Sequence, residues 1–233
     1  MTTGLVFNER QHSYHLNGVR LPGVTTIIGA SDDKSGLLKW YGDNGWAKAN
    51  KMRDAAAVLG TRIHAAIERF NIAIGAEEPY DLYTLEPDLL PYVEGYAQWF
   101  NANVREVVAV EQMVWSEHGY AGTLDAALVL MDDPAPVLVD LKSSKFNPQY
   151  PNPRPIWRLQ SSAYQVALLE RTGIACTRRA VVQVPSNDPG TVKFHEFERS
   201  SNRPDWEGFL AALKLYQWNA SLARSTPGQG GTP

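Results

Sequence analysis

Apolar and polar positions repeat along this chain with two periods, and the switch between them marks out its elements. Ser13 to Leu16 and Val19 to Leu21 flank Asn17-Gly18, a pair that suits a type I′ turn because both positions accept positive φ, so a β-hairpin is predicted there. Between Asp54 and Ile74, the residues Val58, Leu59, Ile63, Ile67 and Phe70 recur at helical spacing and define one buried face. A second helix is predicted from Pro87 to Asn101, with Leu90, Val93, Tyr96, Ala97 and Phe100 inward. From Val104 the period shortens. Val104 to Trp115, Tyr120 to Met131 and Val137 to Lys142 are rich in β-branched residues and are divided by polar, Gly- or Pro-containing turns, which predicts three successive strands. A proline-studded loop from Phe146 to Pro155 then leads into a helix from Ile156 to about Thr172. Strands at Arg179 to Val184 and Val192 to Phe197 follow, and an amphipathic helix from Trp206 to Trp218 comes last.

The order helix, three strands, helix, strand predicts an α/β (α+β) fold, a mixed sheet with helices on its faces. One domain over residues 1–222 is expected, with a core at about 54–200; Ala223 to Pro233, rich in Gly and Pro, is expected to be a disordered tail. At 233 residues, 44% hydrophobic and 20% charged, the chain is long enough for a substantial core and is neither a disordered nor a fibrous composition. Its longest apolar runs, such as Ala126 to Met131, fall far short of a membrane span, so no membrane association is expected. The N-terminal residues lack the features of a secretory signal, and the single Cys176 forms no internal disulfide; both features predict a cytoplasmic setting. A net charge of −3 excludes coating of nucleic acid by bulk electrostatics but leaves room for a local basic channel.

No Gly-x-Ser-x-Gly elbow, phosphate-binding Gly-rich loop, His-Glu-x-x-His or dinucleotide fingerprint is present, so the chemistry must come from carboxylates, a lysine and a histidine. Asp140-Leu-Lys142 ends an apolar strand, where residues two apart share a face; Asp32-Asp33-Lys34 offers the same spacing, but in a turn-like segment. Asp125, in Gly122-Thr-Leu-Asp125, is a charge inside an apolar run on the preceding strand, and a hairpin register that sets it beside Asp140 is plausible. Two carboxylates at ~4 Å repel by about 4 kcal/mol at an effective dielectric of 20. A divalent cation removes that penalty, and oxygen donors of this kind select Mg²⁺ or Mn²⁺. The competing reading is a structural ion pair between Asp125 and Lys142 at a sheet edge. His64 follows Gly60 on the first helix, with Glu68 one turn further; a lone helical histidine is more commonly a surface or core residue. Gln160 and Tyr164 lie one turn apart on the helix after the strands, and Glu111 is either a third carboxylate of the site or an exposed strand residue.

Taken in order, Gly60-x-x-x-His64, Gly122-x-x-Asp125, Asp140-x-Lys142 and Gln160-x-x-x-Tyr164 resemble the RecB-type branch of the PD-(D/E)XK nuclease superfamily over about residues 54 to 185. The opening His12-x-Tyr14-x-x-Asn17-Gly18, with Leu21-Pro-Gly-Val-Thr-Thr-Ile27, is more loosely similar to phage exonucleases and mitochondrial genome maintenance exonucleases. The resemblance implies a restriction-endonuclease-like α-β-β-β-α-β core. It also implies that Asp125 and Asp140 bind the metal, with His64 and the Leu141 carbonyl as further ligands. Lys142 would orient or activate the attacking water and stabilise transition-state charge, while Gln160 and Tyr164 would shape the site and touch nucleic acid. Many relatives carry four cysteines for an iron-sulfur cluster; with Cys176 alone, no such cluster is expected.

From Leu141 to Asn187 the chain has seven basic residues, among them Lys145, Arg154 and Arg158, and one acid, with Phe146, Tyr150, Trp157 and Tyr164 interleaved. This pattern predicts a basic groove with aromatic platforms for a single strand. Asn71 to Val104, with six acids and no base, is expected to face away from phosphates. The expectation is therefore a Mg²⁺- or Mn²⁺-dependent DNA exonuclease in recombination, repair or phage replication, acting on ends or single strands, with a recombination or replication protein as a possible partner. The alternatives are an endonuclease of the same superfamily and an inactive nucleic-acid-binding module.

Overall fold

The Asn17-Gly18 turn takes the positive φ angles its residues allow, 50° and 82°, and joins β2 (Ser13–Leu16) to β3 (Val19–Leu21). This was observed in a computed structural model, which describes residues 4–225. A strand that alternation did not reveal, β1 (Leu5–Asn8), pairs antiparallel with β2 and makes the hairpin a three-stranded sheet. Two further helices occupy the stretch where none was expected: α1 (Val24–Ser31) and α2 (Ser35–Asn44). α3 (Trp46–Gly75) begins at Trp46 instead of Asp54. Its first turns carry Ala47, Ala49, Ala55, Ala56 and Ala57, good helix formers, but bury only Ala49, so no apolar stripe announced them. Val58, expected on the buried face, is 61% exposed.

The remaining elements follow the predicted order. They are α4 (Leu90–Asn103), β4 (Val104–Ser116), β5 (Tyr120–Leu130), β6 (Val137–Lys142), α5 (Pro155–Thr172), β7 (Arg178–Gln183), β8 (Lys193–Phe197) and α6 (Asn202–Ser225). Of the expected disordered tail, residues 223–225 continue α6 and residues 226–233 lie outside the described residues. The second sheet has the order β4-β5-β6-β7-β8, antiparallel throughout except for β6 and β7, which are parallel and bridged by α5. The fold is thus α+β with a mixed five-stranded sheet. Ile63, Ile67 and Phe70 of α3 and Val93, Tyr96 and Phe100 of α4 cover one face, against Leu128, Val139 and Val182. On the other face, α1, α5 and α6 pack Ile27, Leu168 and Phe209 against Leu124 and Leu138. Among the described residues no helix is long and apolar enough to cross a membrane.

One irregularity positions the site. Val110 pairs with Ala126 and Gln112 with Leu124, so Glu111 lies opposite Asp125, and Glu111 has a φ of 44°. A left-handed glutamate inside a strand is sterically costly and is seen where surrounding structure enforces it. The alternation of β5 breaks here: Leu124 and Ala127 both pack toward α5 and α6, whereas Ala126 and Leu128 pack toward α3 and α4.

Candidate active site

The β5–β6 register pairs Ala126 with Val139, and the next step along the ladder brings Asp125 level with Asp140. Backbone pairing gives way there to a side chain. Leu141 donates its N–H to Asp125 Oδ2 at 2.5 Å, and because the N–H and C=O of a strand residue point the same way, the Leu141 carbonyl faces Asp125 as well. Asp140 and Lys142, two apart on β6, share a face, with Lys142 Nζ 2.6 Å from Asp140 Oδ2. Lys142 Nζ also donates to Gln160 Oε1 at 3.1 Å. The ion pair is therefore between Lys142 and Asp140, not Lys142 and Asp125.

Both glycines of the motifs mark close approaches. A Cβ at Gly60 would sit 2.6 Å from Ser143 Oγ, so α3 comes down closely onto the end of β6, and a larger residue would require the Ser143 side chain to turn away. A Cβ at Gly122 would sit 2.5 Å from the Tyr164 ring, which is buried against β5 beside Gln160. Tyr14 of β2 reaches the same strand, its hydroxyl 3.0 Å from Thr123 Oγ1. Sequence reasoning placed Tyr14 in a hairpin motif but gave it no place at the site; the contact spans 109 residues and has no local signal.

Burial sets the electrostatics. The Asp140 and Asp125 carboxyls are both pushed above the usual range by burial, with Lys142 pulling each back; the Asp125 charge adds to the rise at Asp140. Glu111 is raised to about 7 by burial and by the charges of Asp125 and Glu68. His64 is lowered to about 4 by burial and the nearby Lys142 cation, so its imidazole is neutral at physiological pH and free to act as a donor ligand. The Tyr164 phenol is held protonated by burial and by the two aspartates.

A small cavity with room for about one water-sized particle lies among His64, Glu68, Asn71, Tyr96, Glu111, Asp125 and Leu141. Glu68 and Glu111 thus join the site, and Tyr96 donates to Asn71 Oδ1 at 3.0 Å on its wall. Among the described residues no three His, Cys, Asp or Glu side chains stand as a finished cage for an ion. The donors are present and turned to other partners: Asp125 to the Leu141 amide, Asp140 to Lys142. The fit to a divalent cation rests on Asp140. It is 1% exposed, its Oδ2 meets only Lys142 Nζ at 2.6 Å, and its Oδ1 has no hydrogen-bond partner among the described residues. Hard oxygen donors with one neutral imidazole match Mg²⁺ or Mn²⁺.

Several expected nucleic-acid contacts lie elsewhere. Trp157 is buried against Val181 and Phe197, and Tyr164 is likewise in the core, so neither presents a face to a base. Arg154 pairs with Asp32, and Arg158 with Asp205. Arg171 pairs with Glu117 and stacks over Trp115; Arg178 pairs with Asp132 and Glu196, and Arg179 with Asp205. The arginines counted toward a basic groove are thus neutralised by acids from distant segments, and four of the five sit on faces of α5 and β7 that hold the fold together. Lys145 lines an open groove beside α2 and α3, whereas Arg154 and Arg158 line another together with the acids they pair with, Asp32 and Asp205. Asp32, in the rival Asp-x-Lys, pairs with Arg154.

Fold and site together define an α+β protein with carboxylates, a lysine and a histidine gathered where the middle of β5 meets the end of β6. No family model matches the chain, and no curated protein matches it. A solved structure described as "Crystal structure of SSO0001" aligns with 89% of this chain and 86% of its own, at 12% identity and a TM-score of 0.34.

Proposed function

We propose that this chain is a divalent-metal-dependent DNA nuclease of the RecB-type PD-(D/E)XK kind, working as an exonuclease in recombination, repair or phage replication. One observation carries the reading: a buried aspartate, Asp140, whose Oδ1 has no hydrogen-bond partner and whose Oδ2 meets only Lys142, lies next in register to Asp125, which with His64 lines an ion-sized cavity. Asp125, Asp140, His64 and the Leu141 carbonyl would hold the ion, with Glu68 and Glu111 at the cavity wall. When bound, Mg²⁺ or Mn²⁺ supplies a Lewis acid for the phosphate and lowers the pKa of a water.

The chain's own residues do the rest. Lys142, fixed between Asp140 and Gln160, orients the attacking water and donates to the phosphate oxygens as charge grows on them. Water adds to phosphorus, one P–O ester bond breaks, and the departing oxygen takes up a proton. Gln160 and the buried Tyr164 keep Lys142 and β5 in place, and neutral His64 offers a lone pair instead of a competing positive charge.

The test is incubation of end-labelled linear DNA and closed circular DNA with Mg²⁺, Mn²⁺ or chelator. Shortening of the linear substrate from its ends, dependent on metal, is expected. Cutting of the circles would make the enzyme an endonuclease, and binding without turnover in any metal would leave an inactive binding module and overturn the proposal.

A further inference from the structure

α2 and the first half of α3 stand away from the sheet as a helix pair. Tyr41 is buried between them, donating to Asn50 Oδ1 at 3.0 Å, receiving a bond from Arg53 Nη1 at 2.9 Å and lying against the Trp46 ring. Beyond that small joint the pair is open, with Leu37 at 47%, Leu38 at 59%, Trp46 at 64% and Met52 at 39% exposed. Such a run of large apolar side chains in water marks a surface that contacts something else.

A groove of about 660 Å³ runs along this pair. Leu37, Trp40, Met52 and Ala56 line one wall; Ser143, Ser144 and Lys145, the residues directly after Lys142, line the other. Met52, Ala56, Gly60 and His64 follow at intervals of one turn on the same face of α3, so the helical wall of the groove leads to the site. Gly60 meets Ser143 at the boundary, and the absence of a side chain there keeps that passage low.

Charge selects the occupant. Residues 34–60 carry five bases and two acids in a chain whose net charge is −3. Both acids are spent on neighbours, Asp43 on Lys39 and Asp54 on Arg53. Among the described residues no acid pairs with Lys34, Lys48, Lys51 or Lys145. Arg53 and Lys145 line the groove, and Lys48 lies one turn before Met52 on the same face of α3. Cations beside an aromatic and apolar lining suit a polyanion with exposed flat bases, whereas the bases of a duplex are turned inward and cannot reach Trp40 or Met52.

We infer that this groove takes single-stranded DNA and leads it across Gly60 and Ser143 to Lys142, an assignment that rests on the nuclease reading above. The groove replaces the Arg-rich stretch of α5 and β7 as the nucleic-acid surface.

Binding of fluorescein-labelled oligothymidylate, and of its duplex with oligoadenylate, is measured by polarisation in chelator with the full chain. Trp40→Ala combined with Met52→Ala, and separately Lys145→Glu, should each weaken single-strand binding at least about tenfold, the loss of one or two stacking or phosphate contacts. Lys214→Glu, an exposed charge reversal on α6, should not. The duplex should bind more weakly and respond less to the lining change. Melting curves check folding, and if the double variant unfolds, Lys145→Glu in the exposed loop decides. Groove variants that bind like the wild type, or a duplex that binds as tightly with the same losses, overturn the inference. Metal-dependent cleavage of the same oligonucleotide by the wild type is scored separately. Cleavage with unaffected groove variants sinks the groove and keeps the nuclease; groove-dependent binding without cleavage does the reverse.

Discussion

Two buried charges on adjacent strands of one sheet are treated in opposite ways. Arg179 on β7 pairs in register with Leu138, two residues before Asp140 on β6. Arg179 is fully buried, and its guanidinium is satisfied on every side: by Asn202 Oδ1 at 2.9 Å, the Arg158 carbonyl at 2.8 Å, Ser161 Oγ at 3.2 Å, Ser201 Oγ at 3.0 Å and Asp205 Oδ2 at 2.5 Å. Asp140 is as deeply buried and has only the contact with Lys142. The planar fork of arginine finds a matching set of acceptors, which ties α5, β7 and α6 together. An aspartate left without such a set raises the energy of its own ionised state, a cost that a fold carries where the charge has a further use. Buried charge by itself therefore does not mark a site; buried charge with an incomplete set of partners does.

The largest effect should come from the incomplete side. Lys142→Ala and Asp125→Asn should each lower cleavage by at least about 10²–10³-fold in steady-state assays, while the variants melt within a few degrees of the wild type. Loss of activity only through unfolding would place both residues with Arg179 instead.

On the satisfied side, Arg179→Met should cost about 3–5 kcal/mol in denaturant unfolding, since it strands buried acceptors, and leave the specific activity of the folded fraction unchanged. A neutral result would mean that the guanidinium network contributes only packing.

Asp140→Asn should be inactive yet more stable than the wild type by about 1–3 kcal/mol without metal, because burial penalises the carboxylate more than Lys142 rewards it, and Lys142, one-fifth exposed, keeps Gln160. Destabilisation would show that the ion pair outweighs burial and that the contrast with Arg179 is one of degree.

The pH dependence sharpens the same point. Carboxyls whose folded pKa is raised stabilise the fold below their unfolded pKa, and that contribution is lost as pH rises through the folded value, about 7 for Glu111. His64, lowered to about 4, contributes the opposite slope up to about pH 6.5, so metal-free melting temperature should fall most clearly between about pH 6.5 and pH 8, and Mn²⁺ should raise it more at the upper end. An Mn²⁺ shift independent of pH would separate these carboxyls from metal binding.

Smallest of all, Asp32→Asn breaks an exposed pair with Arg154 and should change stability by less than about 1 kcal/mol and cleavage not at all. A cleavage defect would reinstate Asp32-Asp33-Lys34 as the Asp-x-Lys of the site.

Much of the fold could be read from the chain. The strand boundaries at Val104, Tyr120 and Val137 and the helix ending at Thr172 fall within a residue or two of their positions, because each buries a repeating apolar face that alternation or helical spacing exposes. α2 and the first half of α3 escaped because they bury almost nothing; a pattern that reports burial is silent on a helix in water. The site divided in the same way. Asp125, Asp140 and Lys142 stood out as charges on otherwise apolar strands, and His64 entered as a ligand only through the family resemblance; Glu111 was named as a possible third carboxylate, but its left-handed backbone and the reach of Tyr14 to Thr123 had no local mark.

The sequence by itself determined the order of the elements, the type I′ turn at Asn17-Gly18 and the placement of Asp140 and Lys142 on one face of a strand. These follow from chemistry between residues a few positions apart, where covalent geometry fixes which way side chains point. Tertiary structure alone decided which charges are free. Arg158 lies 47 residues from Asp205, Arg178 46 from Asp132 and Arg154 122 from Asp32, so a run of bases that looks like a groove for phosphates is cancelled by acids no window along the chain contains. Charge is counted along a sequence, but it is neutralised across space, over distances that only the packing of helices on the sheet brings within reach.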